Sequence, residues 1–514
     1  MRLTKLIAAG EGIELHGSDR DITGITADSR KVEPGYLFVA IPGTAHDGRA
    51  FIPEAVKRGA AAVLIPEDAG ETNAQQTQAN PLPLAGRARV GGVPANADSK
   101  VSVITSPDIR KTISLIAATF YPRQPATIAA ITGTSGKTSA AQFTREIWHS
   151  LGHKSASLGT LGLVTAKESR YGSLTTPDAI TLHRLLDEMA GQGITHLALE
   201  ASSHGLAMHR LDHAHIKAAA FTNLSRDHLD FHDTMKEYFK VKTRLFAEVL
   251  PEGAVAVLNA DAEEFAPLAR IAKARKQKII SYGIKGEDIE LLDAKPDARG
   301  QILRFILFGK KQEAVLPVIG DFQAWNALCA LGIALACGAD EGNAVAALGK
   351  ISGVPGRLQF IGHSKNGGAV FIDYAHKPDA LENVLAAMRP HVEAHKGAKL
   401  GLVFGCGGDR DKGKRPMMGT IARQSADWTI VTDDNPRHED PAVIRKAILA
   451  GGTGGDTQEI GDRAKAIAAG IERLGKNDVL IIAGKGHETG QIVGDKTLPF
   501  DDATVAKQIL QTGN

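Results

Sequence analysis

Cysteine is scarce in this chain: three residues in 514, Cys329, Cys337 and Cys406, with no C-x-x-C pair among them. An odd, unpaired set excludes a disulfide framework and offers no zinc-ribbon spacing, so a reducing cytoplasm is the expected compartment. Charge of one sign is also missing. The 60 Lys and Arg against 58 Asp and Glu leave a net charge of +2, which gives no basic field and implies no nucleic acid partner. No stretch approaches the ~20 uninterrupted apolar residues of a membrane span. The N-terminal MRLTKLIAAGEGIEL has no apolar run of signal-peptide length, so a cytosolic chain without a span is expected. At about 150 residues per domain the length predicts three domains, placed at 1–124, 125–353 and 354–514.

One glycine is absent where it would be informative. In AITGTSGKTSAAQFTREIWHSLG, residues 130–152, Ile131 stands where the long P-loop pattern has its first glycine, but the GKT core is present. Thr127 to Ile131 reads as a short buried strand, and Ala140, Phe143, Ile147, Trp148 and Leu151 recur at helical spacing. Strand, glycine turn and helix form a phosphate cradle: Gly133 and Gly136 let backbone N–H groups turn toward an anion, and the helix dipole adds to their field. Lys137 is expected to reach the outer phosphates, and the Thr138 hydroxyl to ligate Mg²⁺.

The rest of the chain reads as α/β. Residues 22–66 contain two strands, Leu37 to Ile41 and Ala61 to Ile65, around a helix from Phe51 to Arg58, with polar loops Asp28-Ser29-Arg30 and Thr44-Ala45-His46-Asp47-Gly48. Residues 67–99 lack periodicity and are rich in Gln, Asn, Ala, Gly and Pro, which predicts a flexible insertion. Val101 to Thr105 and the amphipathic Ile109 to Phe120 resume the fold, and YPRQP, 121–125, reads as a hinge. Ile194 to Leu199, Ala218 to Thr222, Val255 to Asn259 and Lys278 to Tyr282 alternate with helices and imply a largely parallel sheet. Ligands of such sheets sit at the carboxyl ends of strands. Glu200, a hard oxygen donor suited to Mg²⁺, and His228 both fall at such ends. From Val354 onward, Val370 to Ile372, Leu400 to Phe404, Thr429 to Thr432 and Val479 to Ile482 each run into a polar loop: DYAHKPDAL, GCGGDRDKGKR, DDNPRHEDP and AGKGHETGQ. Gly405-x-Gly407-x-x-Arg410 lacks the third glycine of a dinucleotide fingerprint, which argues against an oxidoreductase.

Taken together, these motifs resemble the Mur ligase family, ATP-dependent enzymes that extend the peptide of UDP-N-acetylmuramic acid, over nearly the whole chain except 67–99. The family's short GTxGKT motif matches Gly133, Thr134, Ser135, Gly136, Lys137 and Thr138, followed by Ser139. The resemblance implies an N-terminal uridine-nucleotide domain, a central P-loop ATPase with a parallel sheet, and a Rossmann-like C-terminal domain that brings the amino acid. It is strongest to members that add meso-diaminopimelate to UDP-N-acetylmuramoyl-L-alanyl-D-glutamate, acting as monomers in peptidoglycan synthesis. Ser29 and the loop Thr44, Ala45 and His46 resemble uridine-nucleotide contacts; Thr175, Thr176, Ser202 and Arg210 resemble contacts to the muramoyl dipeptide. Met208 replaces a Gln usual in the family, Leu174 an Asn seen in some members, and Gln323 the family's first Asn in GDFQAWN. Asn326, Arg357 and Asp373 resemble ATP contacts, and Thr138, Glu200 and His228 metal ligands. Arg410, Asp434, Asn435, Pro436, Arg437, Gly484 and Glu488 resemble the diaminopimelate site.

Lys242 is where the two lines of reading part. Tyr238, Val241, Leu245 and Phe246 set a buried helical stripe beside it, so pattern alone makes Lys242 a snorkelling surface lysine. The resemblance instead implies that Tyr238-x-x-x-Lys242-x-x-Leu245-Phe246 carries a lysine carbamylated by CO₂, holding a second Mg²⁺. The implied chemistry is activation of the D-Glu carboxylate by ATP to an acyl phosphate, then attack by the diaminopimelate amine, with Lys137, Glu200, His228 and Lys242 at its centre. The alternatives are a lysine-adding sister ligase, a folate-polyglutamating relative, for which DSRKVEPG has no reason, and a nucleotide switch. The switch would need neither the N-terminal domain nor the Asp434 to Arg437 loop.

Overall fold

The computed structural model describes residues 1–43, 47–67, 89–90, 93–94, 100–170, 172, 174–227, 231–297, 300–452 and 456–512. Thr44, Ala45, His46, His228 and most of the 67–99 insertion therefore lie outside the described residues. The chain forms two compact units: Met1–Ser135 with Gly152–Leu258 and Ala262–Ile279, and Gly136–Leu151 with Asn259–Asp261 and Ile280–Asn514.

The first unit contains a five-stranded sheet in the order Glu14–His16, Ser102–Ser106, Ala62–Pro66, Tyr36–Val39, Gly24–Thr26. All its pairs are parallel except the first. Helix Ile109–Phe120 packs on it, its start capped by the Asp108 carboxylate, which accepts from the N–H groups of Arg110 and Lys111. Within the YPRQP segment, Arg123 makes a two-pronged pair with Asp187, and Gln124 bonds the carbonyl of His213 and the N–H of His215.

The same unit carries parallel strands Ser155–Gly159, His196–Glu200, Thr127–Thr132, Ile216–Phe221 and Val255–Asn259, side by side in that order. Thr127–Thr132 is buried along its whole length, as expected of a central parallel strand covered on both faces. Its apolar neighbours Leu197, Leu199, Phe221 and Leu258 share one core with Leu182, Leu186 and Phe246 from the covering helices.

In the second unit, helix Lys137–Ser150 lies against Phe322–Ala336. The latter is apolar nearly all round and accordingly buried on nearly every side. An antiparallel meander joins Ile289–Asp297, Gly300–Leu307 and Lys310–Leu316, with a register shift between Leu291 and Asp293 in its first pair. The six-stranded sheet runs Gln359–His363, Ala369–Asp373, Val479–Ala483, Leu400–Phe404, Trp428–Val431, Asp456–Glu459. Only its first strand is antiparallel. The four polar loops foreseen in the C-terminal segment thus leave from the carboxyl ends of four adjacent parallel strands.

Candidate functional site

In the first unit the glycine turn begins at Gly133, whose φ of 144° suits no side chain; a Cβ there would collide with Thr222 Oγ1. The turn is held from below. Thr134 N–H donates to Asn223 O at 2.9 Å, Ser135 N–H to Asn223 Oδ1 at 2.9 Å, and Thr222 Oγ1 to Ser135 O at 2.7 Å. Lys242 donates from Nζ to Gly133 O at 2.7 Å and sits 4.4 Å from the centre of the Tyr238 ring. It is 1% exposed, which overturns the snorkelling reading. The helix Met235–Arg244 buries Tyr238 and Lys242 against the glycine turn, packs the half-buried Phe239 and Val241 on the core of the sheet, and then passes into a π-turn at Leu245–Val249. Residue type alone sends a lysine to water, whereas here a backbone carbonyl and an aromatic face meet its ammonium inside.

Glu200 ends its strand, 2% exposed, with its carboxylate accepting from Thr160 N–H at 2.9 Å and from Thr160 Oγ1 at 3.2 Å. Around it the structure gathers four more of the expected residues. Thr160 Oγ1 and Thr175 Oγ1 are 3.2 Å apart, Thr176 Oγ1 donates to Glu200 O at 2.8 Å, and Ser202 Oγ lies 3.0 Å from Thr176 Oγ1. Arg210 donates to Thr176 O at 2.7 Å, and burial pushes its guanidinium pKa down from the usual value. Met208 Sδ accepts from Arg210 at 3.1 Å, so the atypical methionine packs on the arginine, while Leu174 is exposed. Thr160 had no sequence signal: its strand, SASLG, is too small and polar to read as one. Ser29, farther back in this unit, is buried and donates to Glu54 Oε2 at 2.8 Å.

In the second unit Gly136 (φ 84°) is the N-cap of helix Lys137–Ser150, with Thr138 and Ser139 buried in its first turn. A Cβ on Gly136 would strike Asn326 Oδ1, and Asn326 Nδ2 donates to Gln323 Oε1 at 2.9 Å. The atypical Gln323 therefore sets the orientation of the expected Asn326. Asp373 accepts from the N–H groups of Leu358 and Ala375, both at 2.7 Å; burial raises its pKa, and the Arg357 charge acts against that rise. Arg357 lies 4.7 Å from the centre of the Tyr374 ring.

The loops after Leu400–Phe404, Trp428–Val431 and Val479–Ala483 bring together most of the remaining set. Asp434, Asn435 and Pro436 are buried. Asp434 Oδ1 accepts from Asn435 N–H at 2.6 Å, Asn435 Nδ2 donates to Glu488 Oε2 at 2.8 Å, and a Cβ on Gly484 would stand 2.6 Å from Asp434 Oδ2. Arg437, at φ 52°, donates from NH1 to Gly408 O at 2.8 Å. It does not pair with Glu439, because the buried Arg415 takes that carboxylate through both terminal nitrogens at 3.0 and 2.9 Å. Arg410 is exposed and, among the described residues, its side chain donates to Asp409 O at 3.2 Å. Arg415 and Lys485 stand in the loops already singled out, but nothing in their spacing showed that they are buried.

Family models match three stretches: "Mur ligase family, catalytic domain" at 21–121, "Mur ligase middle domain" at 131–334 and "Mur ligase, glutamate ligase domain" at 356–486. A relative from Bradyrhizobium diazoefficiens is 48% identical over 506 residues, covering 98% of this chain and 97% of its own. The chain belongs to the Mur ligase family. That relative is a UDP-N-acetylmuramoyl-L-alanyl-D-glutamate–2,6-diaminopimelate ligase, as is one from Caulobacter vibrioides, 46% identical over 96% of both chains. A solved structure of such a ligase aligns at TM-score 0.66 and 32% identity, over 96% of this chain and 95% of its own. The Mur ligase MurF from Acinetobacter baumannii aligns at TM-score 0.61 and 18% identity over 94% and 95%, a likeness of fold alone. The architecture is the three-domain α/β Mur ligase one, and the protein is an ATP-dependent ligase. No helix among the described residues is long and apolar enough to cross a membrane.

Proposed function

We propose that this Mur ligase joins meso-diaminopimelate to UDP-N-acetylmuramoyl-L-alanyl-D-glutamate at the expense of ATP, acting as a cytoplasmic monomer with domains at 1–124, 125–353 and 354–514. The 48% identity over 98% of the chain with a relative of that name carries the reading. The rival lysine-adding reaction is disfavoured by two arginines, Arg437 and Arg410, whose side-chain hydrogen bonds among the described residues all go to carbonyl oxygens.

In this reading Gly133 to Ser139 cradle the ATP phosphates, with Lys137 on the group in flight; Asn326, Arg357 and Asp373 hold the rest of the nucleotide. Ser29, Thr44, Ala45 and His46 take the uridine nucleotide, and Thr175, Thr176, Ser202 and Arg210 the muramoyl dipeptide. The D-Glu carboxylate attacks the γ-phosphorus, ADP leaves, and the acyl phosphate is opened by the diaminopimelate amine, releasing phosphate as the amide forms. The chain contributes orientation and fixed positive charge rather than a covalent group. Arg410, Asp434 to Arg437, Gly484 and Glu488 bind the amino acid.

Mg²⁺ suits these donors. Among the described residues no three His, Cys, Asp or Glu cluster as a metal site, and none is needed by a hard cation that keeps phosphate and water oxygens and takes one or two protein ligands. Thr138 and the buried Glu200 carboxylate are such ligands, His228 is assigned with them, and Lys242 joins them once carbamylated. Bound Mg²⁺ would offset the repulsion between carboxylate and phosphate oxygens. Phosphate release measured over a panel of UDP-muramoyl peptides and amino acids tests the reading: release must require both the dipeptide substrate and diaminopimelate.

A further inference from the structure

Arg463 stands in none of the loops assigned above, yet it forms an ion pair with Asp502 in which both side chains are 0% exposed. Its guanidinium makes four hydrogen bonds: Nε to Asp502 Oδ1 at 2.7 Å, NH2 to Asp502 Oδ2 at 2.7 Å, NH2 to Ala483 O at 2.9 Å and NH1 to Asp433 O at 3.3 Å. Asp502 opens the last helix, Asp502–Thr512. Stability gives little reason for this arrangement. Arg463 begins the helix Arg463–Glu472, where the helix dipole favours anions, and a buried ion pair often adds nothing over well-packed apolar side chains.

What the guanidinium joins is the amino-acid edge. Asp433 and Ala483 each lie one residue before a member of the proposed diaminopimelate site, Asp434 and Gly484. Their strands, Trp428–Val431 and Val479–Ala483, are not neighbours, because Leu400–Phe404 runs between them. The two loops meet at the Asp434 carboxylate, where a Cβ on Gly484 would stand 2.6 Å from Oδ2. A small shift of either loop therefore changes the space around that carboxylate. Other contacts hold the same joint: Asp433 N–H donates to Gly461 O at 3.1 Å and its carboxylate pairs with Arg445, while Gly484 N–H donates to Asp373 O at 3.2 Å. Burial acts against the Arg463 charge, but Asp502, Asp434 and Glu488 outweigh it and raise the guanidinium pKa above its ordinary value. The charge is thus felt at both acidic members of the site, while its hydrogen bonds go to the backbone behind them.

We propose that Arg463 is a positioning residue for the incoming amino acid: its planar fork, anchored on Asp502, fixes the spacing of the Asp434 and Gly484 loops and so couples the last helix to amino-acid binding. The inference rests on the proposed diaminopimelate-adding reaction. A lysine does not substitute, because one ammonium cannot take a carboxylate side-on and also reach carbonyls in two different loops.

The test uses the full-length enzyme and two variants. Arg463→Lys retains the charge and loses the fork; Asp502→Asn retains the shape and loses the anchoring charge. In each, the KM for diaminopimelate should rise about tenfold or more, the scale of one charge-assisted hydrogen bond, while the KM values for ATP and the UDP-muramoyl dipeptide stay within about twofold. Asp502→Glu, which keeps the carboxylate, should fall between the parent and Asp502→Asn. A merely structural pair would instead reduce the folded fraction, lowering kcat at an unchanged KM for diaminopimelate. That result, or equal rises in all three KM values, would overturn the proposal. Coupling between sites is reciprocal, so a measurement on the parent enzyme stands even if the variants fail to fold. Diaminopimelate should slow hydrogen exchange in peptides covering 502–512 as well as 433–437, and unchanged exchange at 502–512 would also overturn the proposal. A parent enzyme that does not ligate diaminopimelate would overturn the underlying reaction, and this inference with it; a parent that does, with the diaminopimelate KM unmoved in both variants, refutes the inference alone.

Discussion

Two strand-end edges of this molecule follow the same topological rule and are finished differently. At the carboxyl ends of the parallel strands in the first unit, the polar side chains are joined to each other. Glu200, Thr160, Thr175, Thr176, Ser202 and Arg210 form one connected set, and Lys242 is locked on Gly133 O. At the edge of the six-stranded sheet two acidic groups are matched, Glu439 by Arg415 and Glu488 by Lys485, the buried Asp434 accepts from the Asn435 N–H, and Arg437 and Arg410 rest on carbonyls. A prearranged network suits a reaction whose geometry must not vary, since reorganisation at the moment of transfer raises the barrier. Cations without a carboxylate suit a site that waits for an anionic ligand and must distinguish it from a neutral or cationic one.

Variants on the two edges must therefore fail in different ways. The largest effect is expected at the phosphate cradle: Lys137→Ala should remain folded by circular dichroism yet lose about 10² to 10³ in kcat. Normal turnover in that variant would remove the nucleotide assignment. Lys242→Ala should lose about 10² in kcat, with partial recovery on adding acetate or formate, as a missing carbamate would allow. Intact-mass analysis of the parent enzyme, prepared with bicarbonate, should show the mass of one added CO₂ and none in the variant; absence of both signatures would leave Lys242 as a purely structural tether.

On the other edge, Arg437→Ala should raise the KM for diaminopimelate about 10- to 100-fold, the scale of one charge-assisted pair, with little change in the KM for ATP. Parallel increases in both constants would erase the contrast between the edges. A smaller effect should follow from Ser202→Ala, because Ser202 Oγ accepts from Gly205 N–H at 3.0 Å and caps the short helix Ser203–Ala207. Its loss should lower stability in urea by about 1 kcal/mol.

The smallest expected effect concerns acid. Arg415 holds the Glu439 carboxyl down to about 2, below its ordinary 4.5. A lowered carboxyl stabilises the fold above the ordinary value, and that contribution disappears as pH falls through about 2. Glu439→Gln should therefore show a shallower loss of stability than the parent between about pH 4.5 and 2 in acid titrations followed by fluorescence. Superimposable curves would mean that the pair contributes nothing.

Much of this protein was determined by the sequence alone. Apolar runs bounded by polar loops specified the strands, and the helix Ile109–Phe120 and the strands Val255–Asn259 and Leu400–Phe404 stand where their periodicity put them. The turn around GKT was legible because its glycines, Gly133 and Gly136, answer a local backbone demand for positive φ, which neighbouring residues suffice to reveal. The short strand Ser155–Gly159, and with it Thr160, was not legible, since its small polar residues carry no hydrophobic period. Burial of charged groups was equally hidden. Lys242, Arg415 and Lys485 look like surface residues in the sequence and are buried in the fold, where they meet Gly133 O, Glu439 and Asn435 across 109, 24 and 50 positions of chain. Only tertiary structure decides such cases, because the cost of burying an ion depends on the partners that surround it, and partners brought together by strand order leave no mark on local spacing.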